Sequence, residues 1–117
     1  EPKWLHEALA GASDRTQLVV QFALEGKAEI CAATLDLFTG ILGAEAANLA
    51  LKVLATGGVY LAGGIPRRIL PWLKKPIFRD KFIDKGRLSE LLGRIPVFVV
   101  RNPDTALMGA AWHALEM

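Results

Sequence analysis

Between Lys27 and Thr56 the chain has no proline and no polar turn cluster, and no other feature constrains its fold as strongly. Cys31, Leu35, Phe38, Leu42, Ala46, Leu49 and Val53 recur at alternating steps of four and three, which is one stripe of an α-helix. Ile30, Leu37, Ile41 and Leu51 widen that stripe until little of the circumference is polar, so the helix is expected to be buried on more than one side. Asp36, Gly40, Gly43, Ala47 and Ala50 form a second stripe, mostly of small residues. A glycine inside a helix costs about 1 kcal/mol relative to alanine. Gly40 and Gly43 therefore predict close backbone packing or a bend. An unbroken helix of about 28 residues here would run about 42 Å at roughly 1.5 Å per residue, so a kink or short break near Gly40–Gly43 is expected.

The segments around this helix are shorter. "PKWLHEALAG" has helical apolar spacing with Gly11 as its stop. A second helix restarts after Asp14, a good N-cap that resembles a capping box with Gln17, and closes at Gly26. Gly57 reads as the C-terminal cap of the long helix. "VYLA" follows as an apolar strand without polar alternation, the habit of a strand covered on both faces. After Gly63-Gly64, Pro66 suits a first helical turn, and "RRILPWL" is cut short by Pro71. "PIFRDKFIDKGRLSELLGR" reads as irregular, basic and helical, and "IPVFVV" as a second buried strand. Asp104 is expected to cap a terminal helix that turns Leu107, Ala110 or Ala111, and Ala114 inward.

About thirty residues separate the two strands, which implies a parallel crossover connection. Val59–Ala62 and Pro96–Val100 are expected to pair, flanked by the Lys27–Thr56 and Thr105–Glu116 helices. Two strands are too few to cover so much apolar helix. The fold class is α/β, mostly helical, and residues 1–117 read as a single partial domain at the tail of a larger one.

Composition sets further bounds. Hydrophobic residues make up 52% of the 117, and the mean hydropathy is +0.31. Both run above an ordinary soluble domain, so some apolar surface is expected to meet partners outside this chain. Charged residues interrupt every candidate for a membrane-spanning run, and no signal-peptide pattern is present. The first residue is Glu1, not methionine, which is expected of a segment of something longer. The lone Cys31 cannot form an internal disulfide, fits a reducing compartment, and reads as a small buried hydrophobe. The net charge of +2 is unremarkable. It is concentrated between Arg67 and Arg87, where eight Lys and Arg meet only Asp80 and Asp84. Prolines break that run and aromatics are sparse in it, so a solvated face is expected rather than a nucleic-acid surface.

Chemistry-bearing motifs are few. His6 and His113 have no ligand-spaced partners, and no serine–histidine–acid constellation or carboxylate pair is legible. Gly63-Gly64 stands at the carboxyl end of a strand and the start of a helix, where free backbone N–H groups receive anions. Phosphate contact and a plain tight turn are both open on spacing alone. The pair fits neither the dinucleotide fingerprint nor a P-loop. Arg67, Arg68, Asn102 and Asp104 are further residues that could face a ligand there.

"LDLFTGILGAEAANLALKVLATGGVYLAGGIPRRIL", "FIDKGRLSELLGRIPVFVV" and "NPDTALMGAAWHAL" together resemble the closing segments of bacterial ATP-dependent glucokinases, members of the sugar kinase/Hsp70/actin superfamily. The resemblance covers nearly the whole chain, more loosely before Cys31. It implies the C-terminal part of an RNase H-like, actin-like ATPase domain. It also implies that Gly63 and Gly64 lie against the adenosine and inner phosphates of ATP. The intact enzyme would transfer the γ-phosphoryl group to the 6-hydroxyl of glucose, in the cytoplasm, as a homodimer, with ATP and Mg as cofactors and no nucleic-acid or membrane partner. The family's phosphate loop, catalytic aspartate and sugar-gripping segments have no counterpart here, so no catalytic residue and no Mg ligand is assigned and the chain alone is expected to be inactive. Another hexose kinase of the superfamily and a non-catalytic assembly module are the alternative readings.

Overall fold

The structure is a computed structural model and describes residues 1–117. Two short helices, α1 (Lys3–Gly11) and α2 (Arg15–Leu24), lead into the spine of the molecule, α3 (Glu29–Val53). The Asp14 side chain accepts a 3.1 Å hydrogen bond from the Gln17 N–H and so caps α2. Gly26, at φ +69°, lets Lys27 N–H reach the Phe22 carbonyl at 3.0 Å and closes the helix.

Helix α3 is continuous over 25 residues, so the expected break near Gly40–Gly43 does not occur. The two glycines serve close packing instead. A Cβ at Gly43 would lie 2.5 Å from the Phe78 carbonyl oxygen, so α6 (Pro76–Ile83) sits directly on that groove. The small-residue stripe is covered at Gly40, Gly43, Ala47 and Ala50, while the bulky stripe is divided: Cys31, Leu35 and Ala46 are buried, and Phe38, Leu49 and Val53 are exposed. Against the sequence reading, α3 has the length and hydropathy of a membrane span. Its packing against α2, α6 and two of the shorter helices that follow places it at the centre of the fold.

The end of α3 also departs from expectation. Leu54, not Gly57, adopts the left-handed conformation (φ 50°, ψ 54°), and the Ala55 N–H closes on the Ala50 carbonyl at 2.9 Å. The chain then enters β1 (Val59–Leu61), which pairs in parallel with β2 (Val97–Val99) in the register Val59↔Val97, Tyr60↔Phe98, Leu61↔Val99. Between the strands run α4 (Gly64–Arg68), α5 (Leu70–Leu73), α6, a 3-10 turn at Gly86–Leu88 and α7 (Ser89–Arg94). The last element is α8 (Thr105–Glu116).

Two apolar clusters hold this together. One joins Leu5, Val20 and Ala23 to the first half of α3 and to Ile69 and Trp72. The other joins the second half of α3 to Leu61, Phe78, Phe82, Leu92 and Ile95. Cys31 is buried in the first cluster, as expected, and burial pushes its thiol pKa up, with the Glu1 charge adding to the effect. The sheet packs on one face only. Tyr60 and Phe98 stand on the other, ring centroids 5.0 Å apart and stacked, and both remain exposed. The strands are thus not covered on both faces. Helix α8 buries none of its residues, Leu107, Ala110, Ala111 and Ala114 included, because no element of the chain packs against it.

Candidate functional site

Both parallel strands end at the same side of the sheet, and a cleft of about 340 Å³ opens there. One lip is the turn from β1 into α4, with Ala62, Gly63, Gly64 and Arg67. The other is the loop from β2 into α8, with Val100, Asn102, Pro103, Thr105 and Ala106. The crevice beyond the carboxyl ends of parallel strands is where open α/β sheets receive ligands.

Gly63 holds φ +106° with ψ −178°, a conformation close to glycine-only, so the turn itself demands this residue. Gly64 is different. Its φ is ordinary, and a Cβ built on it meets no atom of the chain within 4 Å. Nothing inside the chain requires Gly64 to lack a side chain. Neither glycine N–H donates a hydrogen bond to a backbone or side-chain acceptor of the chain. Helix α4 has only five residues and contributes little macrodipole, so any attraction for an anion comes from these N–H groups and from Arg67.

The other lip is tied by Asn102. Its Oδ1 accepts from the Asp104 N–H at 2.9 Å, and its carbonyl accepts from the Thr105 hydroxyl at 2.9 Å. Asp104 makes no side-chain cap on α8, contrary to expectation, and does not line the cleft. Of the residues singled out in the sequence, the structure therefore gathers Gly63, Gly64, Arg67 and Asn102, and leaves Arg68 and Asp104 outside. Thr105 and Ala106 complete the lining. The sequence carried no signal for them beyond their place after the second strand.

Three of the eight cations in the basic stretch are engaged elsewhere. Arg79 donates to the Ile95 carbonyl at 3.1 Å and the Gly93 carbonyl at 2.6 Å, pinning α6 to the end of α7. Lys85 Nζ reaches Asn48 Oδ1 at 2.7 Å, and Lys75 Nζ sits 3.4 Å from the centre of the Trp72 ring. These cations hold the fold. No group of three His, Cys, Asp or Glu side chains that could hold a metal ion occurs in the chain.

A glycine-lined cleft at the carboxyl ends of parallel strands, with one arginine on its rim, is the arrangement of an α/β protein, and it is where such folds receive anionic ligands. The glucokinase family model matches residues 3–117. Among curated relatives, a glucokinase of Synechocystis sp. is 50% identical over 103 residues, which is 88% of this chain and 29% of the relative. A glucokinase of Allorhizobium ampelinum is 45% identical over 96 residues, 82% of this chain and 28% of the relative. One of Trichormus variabilis is 41% identical over 115 residues, 95% of this chain and 34% of the relative. The chain belongs to the glucokinase family. It spans about 29% of the length of the Synechocystis relative.

Proposed function

We propose that this chain is the C-terminal part of a glucokinase that transfers the γ-phosphoryl group of ATP to the 6-hydroxyl of glucose. In this reading residues 1–117 are part of an RNase H-like domain of a cytoplasmic, homodimeric enzyme. Gly63 and Gly64 lie against the adenosine and inner phosphates of the nucleotide. The observation that carries the reading is the 50% identity over 103 residues to a relative named glucokinase. The cleft is compatible with it, because the Gly63 and Gly64 N–H groups are unpaired there beside Arg67.

Phosphoryl transfer of this kind is mostly positioning and electrostatic stabilisation around a metal-bound nucleotide. This chain offers no cluster of metal-ligating side chains. In this reading Mg is held by the phosphates and by residues outside the chain, and the chain's own part is to seat the nucleotide.

Gly64→Val in the full-length protein tests the reading. Gly64 has ordinary backbone angles and open space around its Cβ, so valine there meets no atom of this chain. The added methyl groups instead enter the space assigned to the nucleotide. The expected result is a raised KM for ATP, by about thirtyfold for a loss of roughly 2 kcal/mol, with the KM for glucose nearly unchanged. A folded variant with the wild-type KM for ATP removes the nucleotide role from this pair.

A further inference from the structure

The cleft between the β1–α4 turn and the β2–α8 loop contains a single ionisable side chain, Arg67, among Ala62, Gly63, Gly64, Asn102 and Thr105. No carboxylate lines it. Arg67 is half-buried, yet its guanidinium makes no hydrogen bond, ion pair or aromatic contact within the chain. Arg79 and Arg94, in contrast, are both engaged. An arginine fork matches the paired oxygens of a phosphate. The neighbouring Gly63 and Gly64 N–H groups are unpaired donors on the same lip.

We propose that Arg67 is a nucleotide-binding residue that pairs with the phosphate groups, and not with the adenosine, of the nucleotide in this cleft. The inference rests on the nucleotide reading of the cleft and adds to it the residue that reads the anionic end. No hydrogen bond or ion pair of Arg67 ties one element of the chain to another. Arg68, one residue on and outside the cleft, is the internal control.

The test is calorimetric binding of ADP and of adenosine to the full-length protein and to Arg67→Ala, Arg67→Lys, Arg68→Ala and Gly64→Val, each checked for folding by circular dichroism. Arg67→Ala is expected to lower ADP affinity by about ten- to a hundredfold, the range of a lost charge-assisted hydrogen bond, and to leave adenosine affinity unchanged. Arg67→Lys keeps the charge without the fork and recovers part of the loss, while Arg68→Ala binds ADP as wild type. Unchanged ADP affinity in folded Arg67→Ala overturns the proposal, and so does an equal loss for ADP and adenosine. If Gly64→Val weakens ADP while Arg67→Ala does not, the nucleotide reading stands and the role of Arg67 falls. If neither variant moves, both fall. Should Arg67→Ala fail to fold, Arg67→Gln carries the same comparison with the side-chain length kept.

Discussion

Gly40 and Gly43 stand three positions apart on α3, yet an alanine meets a different neighbour at each. At Gly40 the new Cβ would lie 3.6 Å from Lys81 Cγ and 4.0 Å from Ile77 Cγ1, ordinary van der Waals contact. Gly40→Ala is therefore expected to stabilise the protein by about 0.5–1 kcal/mol through helix propensity. At Gly43 the new Cβ would lie 2.5 Å from a backbone oxygen, that of Phe78, which cannot rotate aside. Overpacking of this kind costs about 1–3 kcal/mol and outweighs the propensity gain, so Gly43→Ala is expected to destabilise. Urea titration of the two variants checks the pair, and equal midpoints would mean that α6 is not seated on Gly43. The sequence identified both glycines as features of a packing stripe or a bend. It could not choose between those roles, because the deciding atom belongs to a residue thirty-five positions away. Leu54 marks the opposite limit, since nothing in its identity marks a leucine for left-handed angles and Gly57 offered the easier cap.

At the scale of elements, the long helix and both strands were legible, and their parallel pairing followed from the length of the crossover. Which face of the helix lies inward was not. The bulky stripe is the more hydrophobic, but α6 approaches closely only across the small one, where Ala47 is 0% exposed and Val53 on the other stripe is 73% exposed. Apolar runs as short as "VYLA" carry the same ambiguity. They read identically whether one face or both are covered, and the structure covers only the face with Val59 and Leu61. The tie between Trp72 Nε1 and Asp36 Oδ1 at 2.9 Å anchors α5 on α3. Helix α4 buries no residue of its own, so its position depends on that anchor and on buried Ile69. The candidate glycines were legible because strand, glycine pair and helix are adjacent in sequence. The opposite lip comes from about forty residues later, and only folding brings it near.

The whole molecule is an open slab. Its principal extents are 49 × 44 × 19 Å and its radius of gyration is 17.1 Å, against about 13 Å for a compact domain of this length. Only 19 of 117 residues are buried, while Leu107, Trp112 and Leu115 of α8 and the stacked Tyr60 and Phe98 stand in the open. No carboxylate, histidine or cysteine lines the cleft. A coupled assay on the purified chain is expected to detect no glucose- and ATP-dependent turnover, and measurable turnover would overturn the assignment of this cleft to nucleotide seating alone.

The same surface predicts how the chain behaves in isolation. Each strand pairs on one side only, so the two-stranded sheet leaves two edges with free backbone groups. Such edges template pairing with another copy unless charge, proline or a covering element blunts them. Here the flanking face is aromatic and α8 lies uncovered. Exposed apolar surface contributes roughly 25 cal/mol per Å² when it is removed from water, so burying even a few hundred Å² between copies offsets much of the entropy of association. The purified chain is therefore expected to run as a dimer or larger species in light scattering at tens of micromolar. Its apparent mass should fall on dilution, and Phe98→Lys, which places a charge at the centre of the stacked pair, should shift it toward the monomer. A monodisperse monomer at high concentration would show that the open face is tolerated in water and that hydrophobicity alone does not drive this chain to self-associate.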